Sequence, residues 1–585
     1  MTQLAQLQYI SRYENVSSEK ADGVHYTPRD LADFVASQIA KSLPVGNSGR
    51  ALRILDPAMG DGELLLSLIR QLAAQGIRDL EVYGFDTDRE AIHLASTRLT
   101  NEFPGIHLNF KNEDFLLHVL SHHSHGPCGD LFKPRQTQTY DLVISNPPYV
   151  RTQVLGAQQA QTLSRQFNLA GRVDLYYGFI LAIADVLSEN GIAGIIVSNR
   201  FMTTKAGTSV RSAIPKHFDI LHVWDLGDTK LFEAAVLPAV ILAQKRDEKR
   251  AAPEPQFTSI YSSDSTGNAT QAADVIGALQ AQGPVLLKDG RSFSVQHGIL
   301  EHGGADGSVW RIATKQSEDW LAQVEKRTWK VFSDIGKIRV GVKTTADKVF
   351  IRGDWATLPE NIRPETELLR PLITHHQACQ IKASTPKRPL QILYPHRVVD
   401  GQRVAIDIAR YPKAANYLAE HRQVLEGRKY VIEAGRNWYE IWVPQDPDAW
   451  AKPKVVFRDI SEHPTFWMDL EGGVVNGDCY WLMAADPSQN DALWLALAVG
   501  NSTFIEKFYD HKFNNKLYAG RRRFITQYVE KFPLPDPTLA NSKEIIRLVK
   551  KAYTLLPSPE AHTIQGELDR LVWQSFGLAA EEITR

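Results

Sequence analysis

Cysteine is nearly missing from this chain: Cys128, Cys379 and Cys479 are the only three among 585 residues, far apart and with no Cys-x-x-Cys pair. That leaves no sign of a disulfide framework or a cysteine-held zinc site. No apolar run approaches the ~20 residues of a membrane span. The polar start MTQLAQLQYISRYENVSSEK also lacks the apolar centre of a signal peptide. A cytoplasmic protein without membrane attachment is expected. The formal net charge is −1, so no global basic excess marks the chain as a polyanion binder, and any nucleic-acid surface must be local. The rest is ordinary for a globular protein, with 43% hydrophobic and 23% charged residues. The length exceeds what one core supports, so two large domains or more are expected.

The most informative stretch is Tyr140-Asp141-Leu142-Val143-Ile144-Ser145-Asn146-Pro147-Pro148-Tyr149. It reads as a buried strand running into four residues suited to a flat, amine-bearing ring. An exocyclic amine on such a ring is a poor nucleophile, because its lone pair is delocalised. The amide oxygen of Asn146 and the backbone carbonyl of Pro147 can each accept one N–H and draw the nitrogen toward a tetrahedral shape. Two prolines fix φ and withdraw backbone donors, and Tyr149 offers a flat face worth roughly 1–3 kcal/mol to a stacked base. A plain Asn-Pro turn after a strand is the competing reading.

Upstream, Thr27-Pro28 precedes the helix-patterned LADFVASQIAKSL, where Thr27 suits a cap and Pro28 a first turn. Asp56-Pro57-Ala58-Met59-Gly60-Asp61-Gly62 sits between a strand and the helix-like ELLLSLIRQLAAQG. That order lets a ligand approach the backbone at the first crossover of an α/β sheet. The loop is acidic and free of lysine, which favours a ligand with an amino group over a triphosphate. A second strand ends on Asp86, whose carboxylate can accept both hydroxyls of a ribose; Asp88 is the better helix cap. After a third strand, Asp114 can bind the amino group of an adenine and Phe115 pack on its ring, with a surface turn as the alternative. Residues 118–139 interrupt the pattern. His122, His123, His125 and Cys128 within them read as an exposed loop insertion, and no metal site is assigned. Phe232, between the last two apolar stretches of this half, is a candidate wall opposite Tyr149, although a core phenylalanine is the commoner fate.

Taken together these motifs resemble the S-adenosylmethionine-dependent DNA adenine-N6 methyltransferases of the gamma order, similar to the Taq-type and related type II modification enzymes. The resemblance is good over residues 25–245 and looser beyond. It implies a doubly wound, Rossmann-like α/β catalytic domain followed by a mixed α+β target-recognition domain. Thr27, Asp56, Ala58 and Gly60 would hold the cofactor's methionine part, Asp86 its ribose, and Asp114 with Phe115 its adenine. Asn146, adjoining the cofactor, would take the target amine together with Pro147, and Tyr149 and Phe232 would sandwich the base. The implied reaction is attack of the amine nitrogen on the sulfonium methyl. Double-stranded DNA is the implied substrate, with the adenine rotated out of the duplex at a cost of a few kcal/mol.

The expected organisation is a catalytic domain at 1–245, a charged, proline-bearing linker at 246–256, a recognition domain at 257–540 and a helical segment at 541–585. Between Asn501 and Phe532 seven Lys or Arg stand against three acids, interleaved with aromatic and amide side chains. Lys512, Asn514, Asn515, Lys516, Arg521, Arg522 and Arg523 are therefore the expected DNA contacts; a solvated helix end is the alternative. Competing functions are a methyltransferase of RNA adenine or protein glutamine, and a fused restriction-modification enzyme. The helix beginning near residue 27 leaves no room ahead of it for a nuclease, so a separately encoded cognate endonuclease is the expected partner. A monomer is expected, with a dimer as the alternative.

Overall fold

The structure, a computed structural model, describes residues 27–580 apart from 44–49, 124–137, 150–160, 162–164, 168, 170–173, 233–236, 264–268, 304–306, 487, 489 and 514–520. The chain forms two compact units that divide between Thr314 and Lys315.

In the first unit α1 (Arg29–Lys41) precedes a regular alternation: β1 (Leu52–Asp56), α2 (Glu63–Ala74), β2 (Leu80–Asp86), α3 (Arg89–Glu102), β3 (His107–Asn112), α4 (Phe115–His123) and β4 (Tyr140–Ser145). Then come α5 (Leu175–Val186), β5 (Leu187–Ser198), α6 (Thr208–His217), β6 (Phe218–Asp225) and β7 (Pro238–Lys245). The strands lie in the order β3-β2-β1-β4-β5-β7-β6, parallel except for β7. Strand order reverses at β1, which lies between β2 and β4, so the carboxyl ends of β1 and β4 flank the switch point where such sheets take ligands. Alternation along the strands supplies two apolar faces. Ile54, Leu142 and Ile144 meet Val35, Ile39, Leu65 and Leu68 of α1 and α2, while Leu55, Val143 and Val197 meet Val119, Ile180 and Ile214 of α4, α5 and α6.

The sheet does not stop at residue 245. β8 (Gln256–Ser262) pairs in parallel with β6, placing Phe257 beside Val223. Four further strands, β9 (Thr270–Ala272), β10 (Gly283–Leu287), β11 (Ser292–Glu301) and β12 (Arg311–Ala313), complete a twelve-stranded sheet. The expected linker at 246–256 is thus a connection inside one sheet. Arg246 and Arg250 both bind the buried carboxylate of Asp219 on β6, at 2.7 and 3.1 Å.

The second unit contains a five-stranded sheet in the order Ile338–Val340, Cys479–Leu482, Lys454–Arg458, Phe466–Asp469, Ile381–Lys382. One core joins Val455, Phe457 and Phe466 to helices Asn490–Gly500, Thr503–Phe513, Ala540–Leu555 and Pro559–Ser575. The last two helices therefore belong to this unit and are not a separate terminal segment. A second core gathers Trp450, Trp467 and Trp481 with Tyr394, Tyr417 and Leu425. No helix among the described residues is long and apolar enough to cross a membrane.

Candidate active site

Asn146 leaves the carboxyl end of β4, where it is held from both sides. Its Nδ2 donates to Thr27 Oγ1 at 3.1 Å, and its Oδ1 accepts from the Tyr149 hydroxyl at 2.6 Å. Thr27 does not cap α1: the cap position is Pro28, with no side-chain cap bond. Its hydroxyl instead reaches a residue 119 positions away. Pro147 is buried beside them. The Tyr149 ring stands edge-on to Tyr176 of α5, with centroids 6.0 Å apart at 89°, and burial pushes its phenol pKa well up, so the hydroxyl keeps its proton. Tyr176 was not recognisable from sequence, since within the apolar helix LYYGFILAIADV it reads as one more core residue.

The glycine loop after β1 is pinned at several points. Asp56 is fully buried; its Oδ1 accepts from the Ala58 N–H at 3.0 Å, and its Oδ2 is buried without a hydrogen-bond partner. Burial, reinforced by the charges of Asp86 and Asp61 against the opposing Ala58 bond, raises its pKa to about 8. Asp86, at the end of β2, accepts from the Gly60 N–H at 2.9 Å and the Asp88 N–H at 2.8 Å, while Asp88 caps α3 through Glu90 N–H. Burial raises the pKa of Asp86 as well. Gly62 enters α2 at φ 81°, and a Cβ there would come within 2.9 Å of Ala95 Cβ; both the conformation and the space require glycine. Arg98 of α3 neutralises the rest of the loop's acidity. Its guanidinium binds the carbonyl of Asp61 at 2.8 Å, the Asp61 carboxylate at 2.6 Å, and Glu63. Arg98 looks like any helix-surface arginine in sequence, and no motif singles it out.

Other expected residues fall differently. Asp114 accepts from the backbone N–H of Leu116 and Leu117, at 2.8 and 3.2 Å, so its carboxylate caps the start of α4, and burial raises its pKa. Phe115 is 2% exposed and packs between Phe85 and Phe179. Phe232 is also buried, in the core on the α1–α2 side. Tyr149 packs against the opposite core. The described structure therefore gives Phe232 a core position. His122, His123, His125 and Cys128 lie outside the residues whose side chains are described.

Of the expected DNA contacts, Asn514, Asn515 and Lys516 lie outside the described residues, while Lys512 and Arg521 are exposed. Arg522 is not available. It is 7% exposed and bound to Asp510 at 2.7 Å and Glu506 at 3.0 Å. Arg523 is held by Asp459 at 3.0 Å.

Residues 81–232 match the family described as Eco57I restriction-modification methylase, and residues 399–534 match the TaqI-like C-terminal specificity domain. The chain is 40% identical over 575 residues, 97% of its length, to the type II methyltransferase M.BanIII of Aneurinibacillus aneurinilyticus, of which 98% is covered. It is 26% identical over 582 residues to the type II methyltransferase M.PaeR7I of Pseudomonas aeruginosa, covering 96% of this chain and 93% of that one. Among solved structures, the DrdV–DNA complex superposes with a TM-score of 0.51 at 12% identity, over 94% of this chain and 61% of that one, a likeness of fold alone.

Proposed function

Because the chain belongs to the type II DNA methyltransferases of restriction-modification systems, with S-adenosylmethionine as cofactor and DNA as substrate, we propose that the group it methylates is the N6 amine of adenine, presented as a base rotated out of the duplex. The observation that carries this reading is the Thr27–Asn146–Tyr149 chain at the end of β4. With Nδ2 committed to Thr27, the amide of Asn146 turns its oxygen toward the phenol ring. An exocyclic amine lying on that ring can donate one hydrogen to Asn146 Oδ1 and the other to the carbonyl of Pro147, which localises its lone pair. Tyr149 supplies the stacking face. Its hydroxyl, which occupies Oδ1 in the ligand-free chain, yields that oxygen to the incoming amine.

The glycine loop fits the cofactor, because an orphaned, buried carboxylate oxygen on Asp56 is a partner for an ammonium group. In this reading Asp56, Ala58 and Gly60 hold the methionine part and Asp86 the ribose, with Asp114 at the adenine. When bound, the cofactor supplies a methyl group on a good leaving group, so the protein's contribution is placement. Asn146 and Pro147 also stabilise the positive charge on the methylated amine until its proton leaves. A separately encoded endonuclease is the proposed genetic partner, and a monomer the proposed working form.

Nucleoside analysis by mass spectrometry of duplex DNA incubated with methyl-labelled cofactor tests the reading. N6-methyladenine is expected, and Asn146→Ala should abolish it. Label on cytosine, or on RNA or protein in place of DNA, would overturn it.

A further inference from the structure

Within the basic stretch at 512–523, Arg522 and Arg523 are already neutralised by Glu506, Asp510 and Asp459, while Lys512 and Arg521 are exposed. A different surface in the same unit keeps its positive charge. Arg428 is 5% exposed, and its guanidinium is bound only by carbonyls: Thr344 at 2.9 Å, Glu440 at 3.0 Å, Trp438 at 2.6 Å and Leu425 at 3.2 Å. A buried cation whose partners are all dipoles contributes its full charge to the local field. It also ties three segments together, since Lys343 and Val443 exchange both backbone hydrogen bonds at 3.0 Å beside it. Arg436 repeats the pattern: it donates to the carbonyl of Trp442 at 2.5 Å and lies 4.9 Å over the Trp442 ring.

Around these two guanidiniums Lys343, Lys348 and Lys429 are exposed and, among the described residues, have no carboxylate partner. The neighbouring acids keep their charge, Glu440 accepting from the backbone and side-chain N–H of Asn437 and Asp347 from the Thr344 hydroxyl, with Glu433 exposed, so that Lys343, Lys348, Lys429, Arg428 and Arg436 outnumber Asp347, Glu433 and Glu440. Tyr430, 42% exposed, meets Trp442 edge-on at 5.0 Å. An excess of cations beside rigid, half-exposed aromatic rings suits a sugar–phosphate backbone. Thr345, at φ 58°, holds left-handed backbone that costs on the order of 1 kcal/mol, and it lies in the 343–348 loop that shapes this face.

We propose that the surface formed by the 343–348 loop, the helix Lys429–Glu433 and the 436–443 loop is the duplex-gripping face of the second unit. Lys343, Lys348 and Lys429 contact phosphates there, and Tyr430 with Trp442 packs on the adjacent sugars. The inference rests on DNA being the substrate but not on which base is methylated.

The test is fluorescence anisotropy of the full-length protein on a labelled 40-base-pair duplex of mixed sequence, between 50 and 250 mM KCl. Each phosphate contact contributes about 0.9 to the slope of log K against log salt, or about eightfold in affinity at 0.1 M salt. Lys343→Ala and Lys429→Ala are each expected to weaken binding about eightfold at 0.1 M and lower the slope by about 1. The double variant should lower it by about 2, with S-adenosylmethionine affinity and melting temperature unchanged. A double variant that keeps the wild-type slope and Kd would overturn the proposal. If the methylated nucleoside proved to be N4-methylcytosine, the adenine reading would fall while the binding result stood.

Discussion

Asp56 offers the most direct perturbation of the cofactor site. Its carboxyl is fully buried, one oxygen has no hydrogen-bond partner, and its pKa is raised to about 8, so at neutral pH the ligand-free protein holds it mostly protonated. An ammonium group arriving at the orphaned oxygen favours the carboxylate, and binding then expels the proton. Well below pH 8 this linkage makes affinity rise with pH by about tenfold per unit, equivalent to about 1.4 kcal/mol. The rise flattens near pH 8, and affinity falls again as the ligand's own amino group, with an α-amino pKa of roughly 7.7–8.0, loses its charge. S-adenosylmethionine affinity should therefore increase about tenfold between pH 6 and pH 7 and peak near pH 8. Calorimetry in two buffers of different ionisation enthalpy should count close to one proton released at pH 6.5. Asp56→Asn should bind more weakly and lose both the slope and the released proton. The same shift has a sign for stability. A carboxyl whose folded pKa lies above its unfolded value favours the folded state while protonated, so stability falls as pH rises from about 4 toward 8. Asp56→Asn should flatten that decline. A wild-type affinity that changes less than twofold between pH 6 and 7.5, with no proton released, would refute the reasoning.

Two further predictions concern the hydroxyls around Asn146 and the buried arginine of the second unit. Thr27→Val, which keeps shape and removes the hydroxyl that receives Asn146 Nδ2, should slow single-turnover methylation at least tenfold with cofactor affinity unchanged, and Thr27→Ser should restore the rate; a loss confined to cofactor Kd would instead make Thr27 a cofactor contact. Arg522→Ala leaves Glu506 and Asp510 facing each other without their shared cation, so it should cost about 3–5 kcal/mol, read as a fall in the denaturant midpoint of the full chain, and a midpoint within error of wild type would contradict the ion-pair role.

The parts legible in the sequence were those where one short string sets both backbone and chemistry. The run from Asp56 to Gly62 needs its glycines for conformation and its acids for pinning the turn. Asn146 to Tyr149 needs its prolines to remove backbone donors from a crowded strand end. The strand ending on Asp86 could be placed because a parallel crossover has a characteristic length. The continuation of the sheet beyond residue 245 was not legible. Residues 246–256 carry the charge and proline of a linker, and it is the pairing of β8 with β6, which sets Gln256 beside His222, that reveals them as a connection between two strands. Phe115 and Phe232 show the same limit from the other side, since an aromatic residue at a motif position carries no mark of whether its ring faces a ligand or a core.

Charge was the least readable feature, for a physical reason. A count of basic residues along the chain finds the Arg521–Arg523 run, but the field at a surface depends on which carboxylates fold against each guanidinium. Those of Arg522 and Arg523 come from 12 to 64 positions away. Around Arg428 and Arg436 the local count is close to balanced, yet the guanidiniums rest on carbonyls and keep their charge. Removing one of the exposed lysines there should change the salt dependence of DNA binding, whereas removing Arg522 should change stability. The two experiments therefore separate a cation that acts on a ligand from one that serves the fold, a distinction that no window of sequence contains.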